Sequence, residues 1–168
     1  YIPALKAGFV NWDDPDYVNE QFLKQGLSNL KSLITTPIQG NYHPLTMLSL
    51  VFNYFISGMN AWSYHLLNLL LHLINCILVF RFILLLTRRN TLIAFVTAIL
   101  FGIHPMHVES VAWVTERKDV LYSLFFIAGL ISYTKYAETG NRRQYIMILV
   151  FFVLSLLSKP AAVIFPLV

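Results

Sequence analysis

The sequence has 168 residues, of which 57% are hydrophobic and 12% are charged, and its net charge is +4. This composition is more apolar than that of a typical soluble domain, and a single cysteine, Cys76, excludes a disulfide framework. The basic residues are scattered, which excludes the basic patch of a nucleic-acid-binding protein. The pattern predicts an all-α integral membrane protein with membrane lipid, and no nucleic acid, among its partners.

Residues 1–60 are predicted to form an external loop that carries short helices. Within this loop, the segment 44–56 is apolar but too short to cross a membrane, because a spanning helix needs about 20 residues. An interfacial or re-entrant helix is therefore expected there.

Residues 61–168 are predicted to form a transmembrane helical bundle, because long runs without Asp, Glu, Lys or Arg begin at Ser32 and recur to the end of the chain. The predicted spans lie at about 62–86, 92–103, 120–136 and 145–158, with a fifth, truncated span at 161–168. The apolar final residues predict that the chain is a fragment of a longer protein.

The short loops predict the orientation of the bundle. Arg88-Arg89 and Arg142-Arg143 concentrate basic charge in two short connections, which the positive-inside rule assigns to the cytoplasmic side. Seven of the eight acidic residues then fall on the opposite, external side. Asp13, the 104–109 segment, the 116–119 segment and Lys159 are therefore predicted to converge on one external face.

Asp13 and Asp14 form an acidic pair in the first external loop. A carboxylate above a membrane bundle can act as a general base or as a metal ligand. The alternative is a solvated turn in which Asp precedes Pro15.

The segment from His104 to Glu109 places His104, His107 and Glu109 within six residues. The spacing is not that of a zinc protease, which needs two histidines four residues apart on one helix. A divalent metal on His107 and Glu109 stays an open alternative, beside a role in hydrogen bonding or acid–base chemistry and a structural role in which Pro105 breaks the helix.

Arg117, Lys118 and Lys159 lie where predicted spans meet the external face. Cations at that depth suit the phosphate of a lipid headgroup. The alternative is ordinary flanking charge at the ends of spans.

A stripe of polar residues runs along the first predicted span at helical spacing, and its members are His65, Asn68, His72 and Asn75. The pattern predicts hydrogen bonds between neighbouring helices. His65, which is nearest the external face, is the member of the stripe with the best position for a role in the site.

Six segments together resemble the membrane half of bacterial relatives of the transmembrane and tetratricopeptide-repeat O-mannosyltransferases. They are FVNWDDP at 9–15, NYHPLT at 41–46, HLLNLLLH at 65–72, HPMHVESVAW at 104–113, ERKD at 116–119 and SKP at 158–160. The resemblance implies a GT-C glycosyltransferase fold, further spans, a tetratricopeptide-repeat domain elsewhere in the protein and a place in the bacterial inner membrane with a periplasmic active site.

The same resemblance implies transfer of a mannose-like sugar from a polyprenyl-phosphate carrier to an acceptor hydroxyl, commonly on a protein. The catalytic acid of such enzymes lies in the first external loop, which corresponds to Asp13-Asp14. Inverting transfer needs one base and a cation near the leaving phosphate, whereas a retaining reaction would also need a nucleophile such as Glu109. A membrane transporter and a non-catalytic membrane scaffold are the alternative functions.

Overall fold

The computed structural model describes residues 1–26 and 28–167, and its regular elements there are all helical. In chain order they are a 3-10 helix at Ile2–Lys6, α1 at Asp14–Tyr17, α2 at Glu20–Gly26, α3 at Leu30–Thr35, α4 at Pro44–Ser57, α5 at Ala61–Leu86, α6 at Thr91–Ile103, α7 at His107–Ala112, α8 at Arg117–Thr139, α9 at Arg142–Ser158 and a 3-10 helix at Pro160–Leu167. The predicted all-α class is confirmed.

Helices α1 to α4 form a small cap over one end of the longer helices. Its core is built from buried apolar side chains of the cap, among them Tyr17, Leu23 and Leu50, packed against Tyr64 of α5 and Val114. Helix α4 begins with Pro44, whose fixed φ suits a first turn, and ends before Gly58. The cap therefore packs directly on the first turn of α5.

Helices α5 and α8 are each long and apolar enough to cross a membrane. Only 11% of the most apolar window of α5 and 22% of that of α8 is buried, whereas the core helix of a soluble protein is mostly buried. Apolar side chains such as Leu73, Ile77, Leu100 and Val153 are exposed around the bundle. Surfaces of this kind fit a lipid environment.

Two of the long helices begin earlier than predicted. Helix α8 begins at Arg117, three residues before the predicted start, and α9 begins at Arg142 after Asn141, whose side chain accepts from the Arg143 N–H at 2.9 Å. The charged residues thus lie in the first helical turns and not in loops. The capping residues set the start of a helix, whereas hydropathy marks only its apolar part.

The segment predicted as a fifth span is different in the structure. Residues 160–167 form a 3-10 helix, and residue 168 lies outside the described residues. Pro166, inside this segment, has no N–H to donate, which breaks an α-helical hydrogen-bond ladder. Phe165 packs against α8 at Gly129. The packing is close, because a Cβ atom added to Gly129 would lie 2.7 Å from the Phe165 ring.

The polar stripe of α5 makes the predicted interhelical hydrogen bonds at three of its four positions. The amide of Asn68 donates to the Trp113 carbonyl at 3.0 Å, and that of Asn75 donates to the Val120 carbonyl at 2.9 Å. His72 Nε2 lies 3.0 Å from the Gly102 carbonyl. These contacts fix α5 against α6 and α8.

A candidate acid and cation site at the capped end

The two neighbouring aspartates of the first loop occupy different environments. Asp14 is buried, with 1% of its surface exposed. Its Oδ2 accepts from the Val10 N–H at 2.7 Å, and its Oδ1 accepts from the N–H of Thr115 at 3.0 Å and from its hydroxyl at 2.5 Å. Asp14 therefore anchors the first loop to the segment that precedes α8, 101 residues further along the chain.

Asp13 is partly exposed, and its carboxylate caps no N–H of α1. Across residues 1–26 and 28–167, no hydrogen bond engages that carboxylate. Burial raises the pKa of Tyr17, and the negative charges of Asp13, Glu116 and Asp16 raise it further. Asp13 is thus the aspartate of the pair whose oxygens are available for chemistry.

Lys118 forms an ion pair with Glu116 beside these residues. The Lys118 Nζ lies 2.9 Å from Glu116 Oε1, and the two side chains are 14% and 13% exposed. The same ammonium lies 5.3 Å from the centroid of the Tyr17 ring, within cation–π range. Burial raises the pKa of Glu116, and Lys118 opposes this shift.

Lys159 forms an ion pair with Asp119, which lies in the first turn of α8. Its ammonium donates to Asp119 Oδ1, and Asp119 Oδ2 accepts from the Ser110 hydroxyl at 3.3 Å. The structure thus brings Asp13, Lys118 and Lys159 to the same end of the bundle as the cap. Both lysines are paired with carboxylates in this state.

Tyr17 and His43 form a buried pair beside Lys118. Their rings stack with centroids 5.1 Å apart. The Tyr17 hydroxyl and both ring nitrogens of His43 have no hydrogen-bond partner in the described part of the chain. Burial, with a smaller contribution from the charge of Lys118, lowers the pKa of His43 to about 4, so that the imidazole is neutral near pH 7.

Sequence reasoning did not assign Tyr17 or His43 to the site. The signal for His43 was present, since it lies in the NYHPLT segment at 41–46. Tyr17 carried no signal beyond its position three residues after Asp14.

Arg117 lies in the core and not in the site. It is 0% exposed, and its guanidinium donates to the side-chain oxygens of Asn68 at 2.8 Å and Asn53 at 2.9 Å. It also donates to the carbonyl oxygens of Tyr64 at 3.0 Å and Ser49 at 3.3 Å. The predicted contact of Arg117 with a lipid phosphate has no support in this geometry. Because α8 begins at Arg117, successive side chains point about 100° apart, and only Lys118 reaches the site.

The histidines of the 104–109 segment bond to nearby backbone. His107 Nδ1 lies 2.7 Å from the Phe101 carbonyl, and His104 Nδ1 accepts from the Met106 N–H at 3.3 Å. These bonds fit the structural alternative, in which Pro105 ends α6 and the chain turns into α7. No group of three or more His, Cys, Asp or Glu side chains suited to a metal ion forms within the described ranges.

Glu109 is exposed and lines an open groove between α7 and the first loop. Trp12, which is 75% exposed, and Trp113 form the aromatic part of this groove. Trp12 immediately precedes Asp13 in the chain. His65 is 1% exposed, and neither of its ring nitrogens has a partner among residues 1–26 and 28–167.

Known proteins with similar sequences are protein O-mannosyl-transferases. The chain is 38% identical to protein O-mannosyl-transferase TMTC3 of Mus musculus over 152 residues, 31% identical to protein O-mannosyl-transferase TMTC1 of Homo sapiens over 150 residues, and 30% identical to protein O-mannosyl-transferase Tmtc1 of Drosophila melanogaster over 175 residues. These matches cover 84%, 83% and 97% of this chain.

The same matches cover 16%, 17% and 20% of the relatives, so the chain spans about a sixth to a fifth of their length. No protein-family model matches the chain, and no solved structure matches it significantly. The chain is therefore similar in sequence to one segment of protein O-mannosyl-transferases.

Proposed function

We propose that the chain forms part of a multi-span membrane glycosyltransferase of the GT-C type. It transfers a mannose-like sugar from a polyprenyl-phosphate carrier to a hydroxyl of a protein acceptor. The homology to protein O-mannosyl-transferases supports the sugar and the acceptor class. The proposed location is the bacterial inner membrane with the cap on the periplasmic side, because Arg88-Arg89 and Arg142-Arg143 concentrate basic charge at the other end of the bundle.

One observation carries the mechanism: the carboxylate of Asp13 has no hydrogen bond in the described residues, and it lies at the capped end of the bundle, as Lys118 and Lys159 do. Asp13 takes the proton from the acceptor hydroxyl while the oxygen attacks the anomeric carbon of the sugar. The bond from that carbon to the carrier phosphate breaks, and its electron pair leaves with the phosphate. Lys118 and Lys159 stabilise the negative charge of the leaving group.

The carboxylates that pair with the two lysines have a role in this scheme. Glu116 and Asp119 balance the lysine charges before the donor arrives. When the donor binds, its phosphate replaces these carboxylates as partner of the ammonium groups.

The groove beside Asp13 supplies the sugar contacts in this proposal. The exposed face of Trp12 offers an apolar wall to the sugar ring, and Glu109 offers hydrogen-bond acceptors for its hydroxyls. His104 and His107 hold the turn between α6 and α7 in place through their bonds to nearby backbone. Arg117 contributes to the site only by fixing the start of α8.

The test measures transfer by the full-length protein from mannosyl polyprenyl phosphate to a hydroxyl-containing acceptor peptide. Asp13→Asn is expected to lower turnover by about 10²- to 10⁴-fold, the usual contribution of a general base. Thermal unfolding should be unchanged because the Asp13 side chain makes no hydrogen bond within the described ranges.

Asp16→Asn is the matched control, since Asp16 is in the same short helix but exposed, with Gln39 as its partner. Turnover of this variant should stay within about twofold of the wild-type value, the effect of a substitution outside the site. Normal turnover of Asp13→Asn would disprove the assignment of the base. A full-length protein that binds acceptor but transfers no sugar would instead favour a scaffold.

A further inference from the structure

A cavity of about 490 Å³ opens at the end of the bundle opposite the cap, between α5, α8 and α9. Three cationic residues line it, namely Arg81, Arg89 and Lys135, and apolar side chains such as Leu78, Leu85 and Phe151 form its walls. No acidic side chain lines it. The cavity therefore combines positive charge with an apolar surface.

The three cations have no protein counter-charge in the part of the chain that the structure describes. The ion pairs found there involve Lys24, Lys118 and Lys159 only. Arg81 lies five residues before the end of α5, about 7 to 8 Å inside the helix terminus at 1.5 Å per residue. A charged side chain at that depth of an apolar helix requires a partner or must extend to the membrane interface.

Two arginines after the end of α5 have a left-handed backbone conformation, in which glycine is favoured. Arg88 and Arg89 have φ values of +50° and +68°, in the left-handed region that L residues rarely adopt. Helix α8 meets the same requirement with Gly140, at φ +61°. The turn at Arg88-Arg89 brings the Arg89 side chain to the cavity, so the sequence places a cation there against the backbone preference.

We propose that this cavity binds an anionic phospholipid. The headgroup phosphate contacts Arg81, Arg89 and Lys135, and an acyl chain lies against Leu78, Leu85 and Phe151. The charge of the three cations and the absence of acids from the lining both favour an anion, and the apolar walls favour one that carries a hydrocarbon chain. Basic pockets between membrane helices are known to suit such headgroups. This site is separate from the proposed transfer site at the cap.

The experiment places the full-length protein in nanodiscs that contain phosphatidylcholine and phosphatidylglycerol at 3:1. After transfer to detergent, native mass spectrometry counts the lipids that remain bound. The wild-type protein is expected to retain phosphatidylglycerol in preference to phosphatidylcholine. Each of Arg81→Gln, Arg89→Gln and Lys135→Gln should weaken this retention by about fivefold, the contribution of one cation near a charged membrane surface.

Arg88→Gln is the matched control. Arg88 is the neighbour of Arg89, is also exposed and shares its left-handed backbone, but it does not line the cavity. Equal losses of phosphatidylglycerol in Arg88→Gln and Arg89→Gln would overturn the proposal, as would a wild-type protein with no preference for the anionic lipid. The second result is expected if another helix of the full-length protein fills the cavity with a carboxylate.

A competition experiment separates the lipid from its headgroup. Glycerol phosphate at millimolar concentration should not displace phosphatidylglycerol, because it lacks the acyl chain that contacts the apolar walls. Complete displacement would overturn the lipid assignment. The substituted side chains are exposed, and thermal unfolding of each variant checks that the fold is retained.

Discussion

Both ends of the helical bundle carry cations, but the cations that border the two proposed sites have different partners. At the capped end, Lys118 and Lys159 are paired with carboxylates and Arg117 is enclosed by neutral oxygen acceptors. At the other end, Arg81, Arg89 and Lys135 have neither kind of partner among the described residues and border an apolar cavity. The contrast follows from the acids, of which seven of eight lie towards the cap by sequence topology.

This difference distinguishes cations that stabilise the fold from cations that are available to bind an anionic ligand. A cation enclosed by protein oxygens stabilises the fold, and its loss leaves several acceptors unsatisfied. A cation without a partner contributes little to the fold and much to the recognition of an anion. Substitutions at the two ends should therefore affect different measurements.

The largest effect on stability is expected for Arg117→Met. This change leaves the side-chain oxygens of Asn53 and Asn68 without a donor in the core, at about 1 to 3 kcal/mol for each unsatisfied group. Chemical unfolding of the full-length protein in detergent measures the loss. Arg142→Met, in an exposed first turn at the other end, is the control. Equal stability of the two variants would remove the distinction between the ends.

A smaller loss is expected for Asp14→Asn. The amide keeps only one acceptor oxygen, so one of the contacts with the Val10 N–H and Thr115 is lost, at about 1 to 3 kcal/mol. The free energy of unfolding should fall for Asp14→Asn and stay unchanged for Asp16→Asn. If transfer activity fell without any loss of stability, Asp14 itself and not Asp13 would be the better candidate for the base.

The pH dependence of stability provides a third test of the capped end. The pKa of His43 is lowered to about 4 in the folded protein, below its ordinary value of 6.5. The unfolded chain thus binds more protons between these values. The contribution of His43 is fully present above about pH 6.5 and is lost progressively as the pH falls towards 4. Glu116, with a raised pKa, acts in the opposite direction.

The variant His43→Phe isolates this contribution, because it keeps a ring that stacks on Tyr17 and removes the titrating group. Its stability should fall less than that of the wild-type protein between pH 7 and pH 5. His104→Phe, at an exposed position, should leave the wild-type pH profile unchanged. Parallel profiles for wild type and His43→Phe would contradict the assigned shift.

The smallest effect on stability is expected at the uncapped end. Arg89→Gln should change the free energy of unfolding by less than about 0.5 kcal/mol, the usual range for exposed positions. A loss comparable to that of Arg117→Met would mean that Arg89 has a partner in the full-length protein. The comparison between the two ends would then fail.

The sequence predicted the helices well because apolar length and polar spacing are local signals. Periodicity alone indicated the face of α5 on which Asn68 and Asn75 hydrogen-bond to other helices. The final segment was predicted less well, since Pro166 and the packing of Phe165 on Gly129 override its apolar composition.

The candidate site was predictable as a set of segments and not as individual contacts. Topology predicted that Asp13, Lys118 and Lys159 lie at one end of the bundle. It did not predict that Arg117 is buried in the core while Lys118 lies in the candidate site, because this depends on the residue at which α8 begins. It could not tell Asp13 from Asp14 either, since their difference arises from Thr115, about 100 residues away. Contacts of such long range leave no periodic trace in the sequence.

The enclosure of Arg117 also bears on the order of assembly during synthesis. Its partners in α4 and α5 precede it by 49 to 68 residues. The residues of the cap have all been synthesised by about residue 60, but its interior lacks a hydrogen-bond donor until Arg117 has been added to the chain. Maturation of the cap therefore follows the synthesis of α5 and α6. A ribosome stalled shortly before residue 117 should carry a cap that is still open to protease.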